Sequence, residues 1–269
     1  MAGALHMEEL RNLYRYRQLI AALTARDLKA RYRGSILGFF WSLANPLLLL
    51  GIYTLAFTTF FPSTVVKPYP LFLFTGILPW TFFSAAVLES TSSISANAAL
   101  IKKVMFPAEA LPLVVVFSHL VHFALAIPIL LLALAIYVLL GQAAVSWTIL
   151  LVPILMCFQT VFVAGVAMVI SSAAVLLRDL RDIVANLMTL GFFLTPIIYL
   201  IDRIDSRLWR ALLRLNPMTP FVVAYQDVIF FGHLPGAADT FLIVAYSLVA
   251  LGCGLLVFER LRDTLAEAI

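Results

Sequence analysis

With 63% hydrophobic and only 12% charged residues along 269 positions, the chain cannot clothe itself in polar groups as a soluble domain does, where about a quarter of the residues are charged. Its formal charge of +4 does not point to nucleic acid, because basic residues beside membrane spans serve orientation instead. The two cysteines, Cys157 and Cys253, both lie inside apolar runs, so neither a disulfide framework nor a metal site is expected.

Taken in chain order, residues 8–34 set Leu10, Leu13, Tyr14, Ile20 and Leu23 at helical spacing among basic residues. That pattern predicts an amphipathic helix lying in the membrane interface; the alternative is a solvated basic leader that only sets topology. Six apolar stretches follow, at 36–60, 69–92, 111–140, 147–177, 183–201 and 240–258. Each is read as a transmembrane helix able to cross about 30 Å of hydrocarbon. Helices are expected because a span must satisfy its own backbone hydrogen bonds where water is absent. The fold class is thus an all-α polytopic membrane protein, a single domain over 1–269.

Two connections carry more apolar residues than a loop in water needs. Residues 97–109, with Leu100, Ile101, Lys102, Lys103, Val104, Met105 and Phe106 before Pro107, suggest a short helix that docks on another protein. Residues 202–239 are divided by Pro217, Pro220 and Pro235 and suggest two short amphipathic helices dipping back toward the bilayer. Lys and Arg concentrate on one side of this plan, at positions such as Arg26, Lys29, Arg31, Arg33, Lys102, Lys103, Arg178, Arg181 and Arg260. Lys67, Arg203, Arg207, Arg210 and Arg214 fall on the other. Both termini are therefore expected in the cytoplasm.

The chemistry that is missing is informative. No GxxxxGK[ST] phosphate loop occurs, nor GxSxG, HExxH, CxxC or GxGxxG. An enzyme is not expected, and any ATP that drives the chain must be bound by another. Carboxylates are scarce in the spans, which disfavours a secondary transporter coupled to protons or sodium. His119 and His122 sit three apart on one face of the third span; they form either a proton relay or cross-helix hydrogen bonds, and without an intramembrane acid the second is favoured. Glu89, near the inner end of the second span, is expected to be wet or paired with an inside base. Aromatic residues gather near the outer ends, among them Tyr53, Phe57, Phe60, Tyr69, Phe72, Trp80, Phe82, Phe83 and Tyr199. They read as an interfacial belt or as a wall on which sugar rings stack.

Several motifs in fixed order carry a family resemblance. The run Ala25-Arg26-Asp27-Leu28-Lys29-Ala30-Arg31-Tyr32-Arg33-Gly34, with Trp41 and Asn45-Pro46-Leu47 beyond it, resembles the approach to the first span in type-2 ABC export permeases for polysaccharides, the Wzm, KpsM and TagG-like proteins. Gly76-Ile77-Leu78-Pro79-Trp80, Arg178-Asp179-Leu180-Arg181-Asp182, Leu194-Thr195-Pro196 and Leu215-Asn216-Pro217 continue the match. Gln226 stands near a position where many relatives carry arginine.

The resemblance implies a homodimeric permease in the bacterial inner membrane, joined by two copies of an ABC ATPase that holds the ATP and Mg; this chain would need no cofactor itself. The cargo would be a lipid-linked polysaccharide, such as O-antigen of lipopolysaccharide, teichoic acid or capsule. Residues 98–106, notably Leu100 to Phe106, would couple to the ATPase, with Arg178, Asp179 and Arg181 as a second contact. Arg26, Lys29, Arg31 and Arg33 would attract the carrier headgroup or merely enforce topology. Tyr53, Phe57, Phe60, Trp80, Phe82, Phe83 and Tyr199 would gain weight as a glycan wall, and Trp209, Asn216, Pro217 and Tyr225 would belong to an outer gate. Alternatives are a type-2 exporter of drugs or lipids and, more remotely, a membrane glycosyl- or acyltransferase using Asp202, Asp205, Asp227 and Asp239.

Overall fold

The structure, a computed structural model, describes residues 16–35, 38–60, 66–98, 108–177 and 179–268. Its helices are α1 (Arg17–Arg31), α2 (Trp41–Leu55), α3 (Tyr69–Ser93), α4 (Ala110–Leu139), α5 (Val152–Leu176), α6 (Leu180–Leu194), α7 (Arg207–Arg214), α8 (Met218–Tyr225) and α9 (Ala237–Ala268). Looser turns extend α2 through Ala56–Phe60 and α8 through Gln226–Phe231.

Four segments are long and apolar enough to cross a membrane: Tyr69–Ser93, Ala110–Leu139, Trp147–Leu176 and Ala237–Leu261. α3 is the axis of the bundle, for 78% of its most apolar window is buried, against 33%, 39% and 28% for the other three. A helix buried all round needs no polar stripe, which is why α3 reads apolar on every face apart from its last turns. Pro79 inside it can donate no backbone hydrogen bond to the preceding turn, and at that level α3 is tied to α5, where Gln159 Nε2 donates to the Pro79 carbonyl at 2.8 Å.

The closest helix pair is α5 with α9. A Cβ placed on Gly165 would stand 2.2 Å from the Ala250 carbonyl carbon, and one on Gly254 would stand 2.7 Å from the Gly165 carbonyl oxygen. Such crossings are built from small residues because lipid supplies no hydrophobic force between helices, leaving dispersion at short range to hold them. Ser247 adds a hydrogen bond across the same seam, to the Phe158 carbonyl at 2.9 Å.

The expected first and fifth spans are shorter than the sequence suggests. α2 has 15 residues before its loose turn. α6 also has 15, about 22 Å at about 1.5 Å per residue, and ends where Thr195 turns extended at φ −95° and ψ 137° ahead of Pro196. A residue before proline is driven out of the helical region, so the apolar run to 201 does not continue as helix. Between α6 and α9, α7 is strongly amphipathic, with Leu208, Trp209 and Leu212 exposed, whereas α8 is buried against α3, α5 and α9. Asn216 joins them: its Nδ2 donates to Thr195 Oγ1 at 2.8 Å, and its Oδ1 accepts from the Met218 N–H at 3.0 Å. Gly232, at φ 72°, closes the loose turn after α8 in the left-handed region that glycine adopts without strain.

Candidate functional site

Two places in the bundle gather chemistry, one at each end. At the end where α1 lies, the last turn of α1 meets the final turns of α3 and the first turns of α4. Arg31 Nη1 donates to Glu89 Oε2 at 2.9 Å, a second and shorter contact joins Nη2 to Oε1, and Arg31 Nε donates to Asp27 Oδ2 at 2.9 Å. The fork of the guanidinium suits this bidentate grip on a carboxylate. Glu89 Oε2 is also 2.8 Å from His119 Nε2, so one carboxylate bridges a base from α1 and an imidazole from α4. One turn along α4, His122 Nε2 is hydrogen-bonded to the Tyr32 hydroxyl at 2.5 Å. The two histidines thus bind different partners across helices, and Glu89, expected to be wet or paired with an inside base, pairs with Arg31 and also supplies His119 with an acid that no pattern in the sequence indicates. This network fastens α1 to α3 and α4, and it borders a cavity of about 410 Å³ that is also lined by Asn45, Thr81 and Phe82.

At the opposite end, the turn after α2, the start of α3, the loop after α6 and α7 surround a cleft of about 670 Å³. Phe57, Tyr69, Phe72, Tyr199 and Trp209 furnish its rings and Arg203 its charge. Two phenols are tethered: Tyr69 OH donates to the Ile198 carbonyl at 2.8 Å, and Tyr199 OH to the Phe193 carbonyl at 3.2 Å. A chain of ring contacts continues along the floor, from Phe57 to Tyr69 at 4.6 Å, Tyr69 to Phe72 at 6.0 Å and Phe72 to Phe230 at 5.5 Å. Beyond it, Asp227 is half-buried with His233 Nε2 3.7 Å from its Oδ1. Removal from water, reinforced by Asp239 and Asp202 and opposed by His233, lifts the Asp227 carboxyl to about 6.

The aromatic candidates divide. Phe57 and Tyr199 line the cleft, Tyr53 touches Phe57 at 6.5 Å between ring centres, and Phe60 is exposed. Trp80, Phe82 and Phe83 are buried inside the protomer at 7%, 3% and 8% exposure. Phe82 stacks on Phe123 and Phe83 on Phe162, while Trp80 sits over Gly191. Of the basic candidates, Arg26, Lys29 and Arg33 are exposed on or just after α1, and Arg31 is held as described. Trp209 flanks the cleft; Pro217 caps α8; Tyr225 is 1% exposed, its hydroxyl without a partner among the described residues. Gln226, also buried, donates to the Pro196 carbonyl at 2.9 Å. Leu100 to Phe106 and Arg178 lie outside the described residues, and Asp179 and Arg181 are exposed at the start of α6. Among the described residues no group of three or more His, Cys, Asp or Glu could hold a metal.

Sequence reading passed over Tyr32, Asp27 and Arg203 as site residues. Each was visible, Asp27 and Tyr32 within the basic motif and Arg203 among the outer charges, but nothing in a linear pattern indicates which helix a polar side chain will meet.

A bundle of long apolar helices, with the charged contacts among the described residues gathered at its ends, defines a polytopic α-helical membrane protein. Residues 18–230 match the model of the ABC-2 type transporter family. The chain is 39% identical over 261 residues to an O-antigen export system permease protein RfbA from Myxococcus xanthus, covering 97% of this chain and 98% of that one. It is 31% identical to an RfbA permease protein from Klebsiella pneumoniae, over 93% of this chain and 95% of the other. A polysialic acid transport protein KpsM from Escherichia coli matches at 22% identity over 91% of this chain and 94% of its own length. The chain belongs to the ABC-2 type transporter permeases. That membership places it among membrane-embedded permeases and not among enzymes.

Proposed function

We propose that the chain is the transmembrane subunit of an ATP-driven exporter that moves a lipid-linked polysaccharide of the O-antigen class across the bacterial inner membrane. The observation that carries this reading is the 39% identity, extending over nearly the whole of both chains, with an O-antigen export permease. Two copies would enclose the path and bind two ATPase subunits, with ATP and Mg held there. The apolar faces that α2 and α6 leave exposed, Leu48, Ile52 and Leu55 on one and Ile183, Leu187 and Leu190 on the other, support a bundle completed by a second copy and by lipid. In that setting α2 and α6 are the first and fifth spans despite their length, and α7 and α8 form a re-entrant gate on the outer side. The termini and α1 are cytoplasmic, in keeping with the basic residues there.

Force from the ATPase enters through Leu100 to Phe106 and through Arg178 to Asp182, and the spans shift in response. Arg26, Lys29 and Arg33 present free-facing charge at headgroup level for the carrier. Arg31 is already shared by Glu89 and Asp27, so it acts first as a fastening. The glycan wall narrows to Tyr53, Phe57, Phe60 and Tyr199, since Trp80, Phe82 and Phe83 serve the core. Deleting the gene in its host should remove long-chain polysaccharide from the cell surface while the polymer accumulates inside, and Ile101→Asp should fail to restore export at unchanged membrane level. Surface polysaccharide that persists in the deletion strain would refute the assignment.

A further inference from the structure

The outer cleft has a chemistry narrower than a general sugar wall. Its rings are fixed, because Tyr69 and Tyr199 are tethered to backbone carbonyls and Phe57 meets Tyr69 edge to face. Flat rings held in place stack on the C–H faces of sugars with little entropy left to lose. Against them stands Arg203, which carries the charge of the described lining. Asp202 and Asp205 neighbour it in the chain, yet neither lines the cleft, and among the described residues no ion pair engages its guanidinium. A guanidinium not answered by a carboxylate, beside stacking surfaces, discriminates among ligands. A neutral sugar gains the rings alone, and a sugar with a carboxylate or phosphate substituent gains the rings and a charge-assisted bond.

We propose that this cleft, formed by Phe57, Tyr69, Phe72, Tyr199, Trp209 and Arg203, is a binding site for an acidic sugar residue, with the substituent on Arg203 and the pyranose faces on the rings. Its volume of about 670 Å³ lies in the range that encloses a ligand of a few rings. The assignment rests on the export reading and adds a property to it, selection for negative charge on the glycan at the outer face.

The test uses the full-length permease co-purified with its ATPase in phosphatidylcholine nanodiscs, titrated calorimetrically with tetragalacturonate and, separately, with maltotetraose. The acidic tetramer should bind about tenfold more tightly, as one charge-assisted bond at a partly wet site provides. That ratio should fall with added salt. Arg203→Gln should bring it to about one, Arg203→Lys should keep part of it, and Trp209→Ala should weaken both ligands. Equal affinities in the unaltered complex would overturn the proposal whatever the variants do, as would a ratio that survives Arg203→Gln. Competition by phosphatidylglycerol added to the discs would reassign the cleft to a lipid headgroup and overturn it too. These failures differ from that of the export reading, which the deletion strain decides without reference to Arg203.

Discussion

Removing the Glu89 carboxylate should loosen the fastening of α1 and expose how much the network at that end contributes. Glu89→Gln leaves the shape but removes the charge that Arg31 and His119 share. Hydrogen bonds to charged groups are worth about 1.5–3 kcal/mol when well buried. Here the Glu89 side chain is 36% exposed and that of Arg31 26%, so solvent screens the pair and most of that range is lost. Asp27 also remains to hold Arg31 through Nε at 2.9 Å. A destabilisation of about 0.5–1 kcal/mol follows, toward the upper end for Glu89→Ala, which leaves neither oxygen for His119.

The assay is thermal unfolding of the purified permease in detergent, followed by tryptophan fluorescence, on Glu89→Gln, His119→Phe and the double variant. Because His119 acts through a carboxylate oxygen of Glu89, the effects of the two single variants should fall short of additivity by more than about 0.5 kcal/mol. Protease sensitivity at Arg26 and Lys29 should rise in the same variants, as α1 detaches before the bundle melts. Strict additivity, or unchanged proteolysis of α1 in Glu89→Ala, would refute the view that these contacts act as a unit.

Gly165→Val should lower the melting temperature, since any Cβ there meets the Ala250 carbonyl carbon at 2.2 Å; overpacking of this kind costs about 1–3 kcal/mol, and an unchanged melting curve would contradict the α5–α9 crossing. Asp227 makes stability depend on pH. Its carboxyl is lifted from 3.8 to about 6, chiefly by burial, so the folded protein holds this proton where the unfolded chain has released it, and stability should decline as pH rises from about 4 through about 6. Melting temperatures across that window should lose the decline in Asp227→Asn.

How far the sequence reaches is clearest from particular residues. Long spans were legible because hydropathy is a property of composition: 69–92 and 111–140 lie within about a residue or two of α3 and α4. The apolar run 183–201 was read as one helix although Thr195-Pro196 stands inside it. The proline rule that ends α6 was available and was outweighed by continuous hydropathy. For 202–239, the three prolines and the amphipathic Leu208-Trp209-Leu212 pattern sufficed to suggest two short helices, and α7 and α8 are found there. Burial was harder. Trp80, Phe82 and Phe83 occupy a segment apolar on every face, so no periodicity tells a ring on a channel wall from one in the core; only the neighbours on α4, α5 and α6 decide it. The same holds for Glu89. Its pairing with an inside base was inferable from charge, but its bond to His119 depends on how α3 and α4 rotate against each other, which is set by dispersion at their contact and not by any residue's own preference. Polar groups at the ends of a membrane bundle are therefore the features most worth locating in three dimensions, because their partners come from other helices and their chemistry is defined only by those partners.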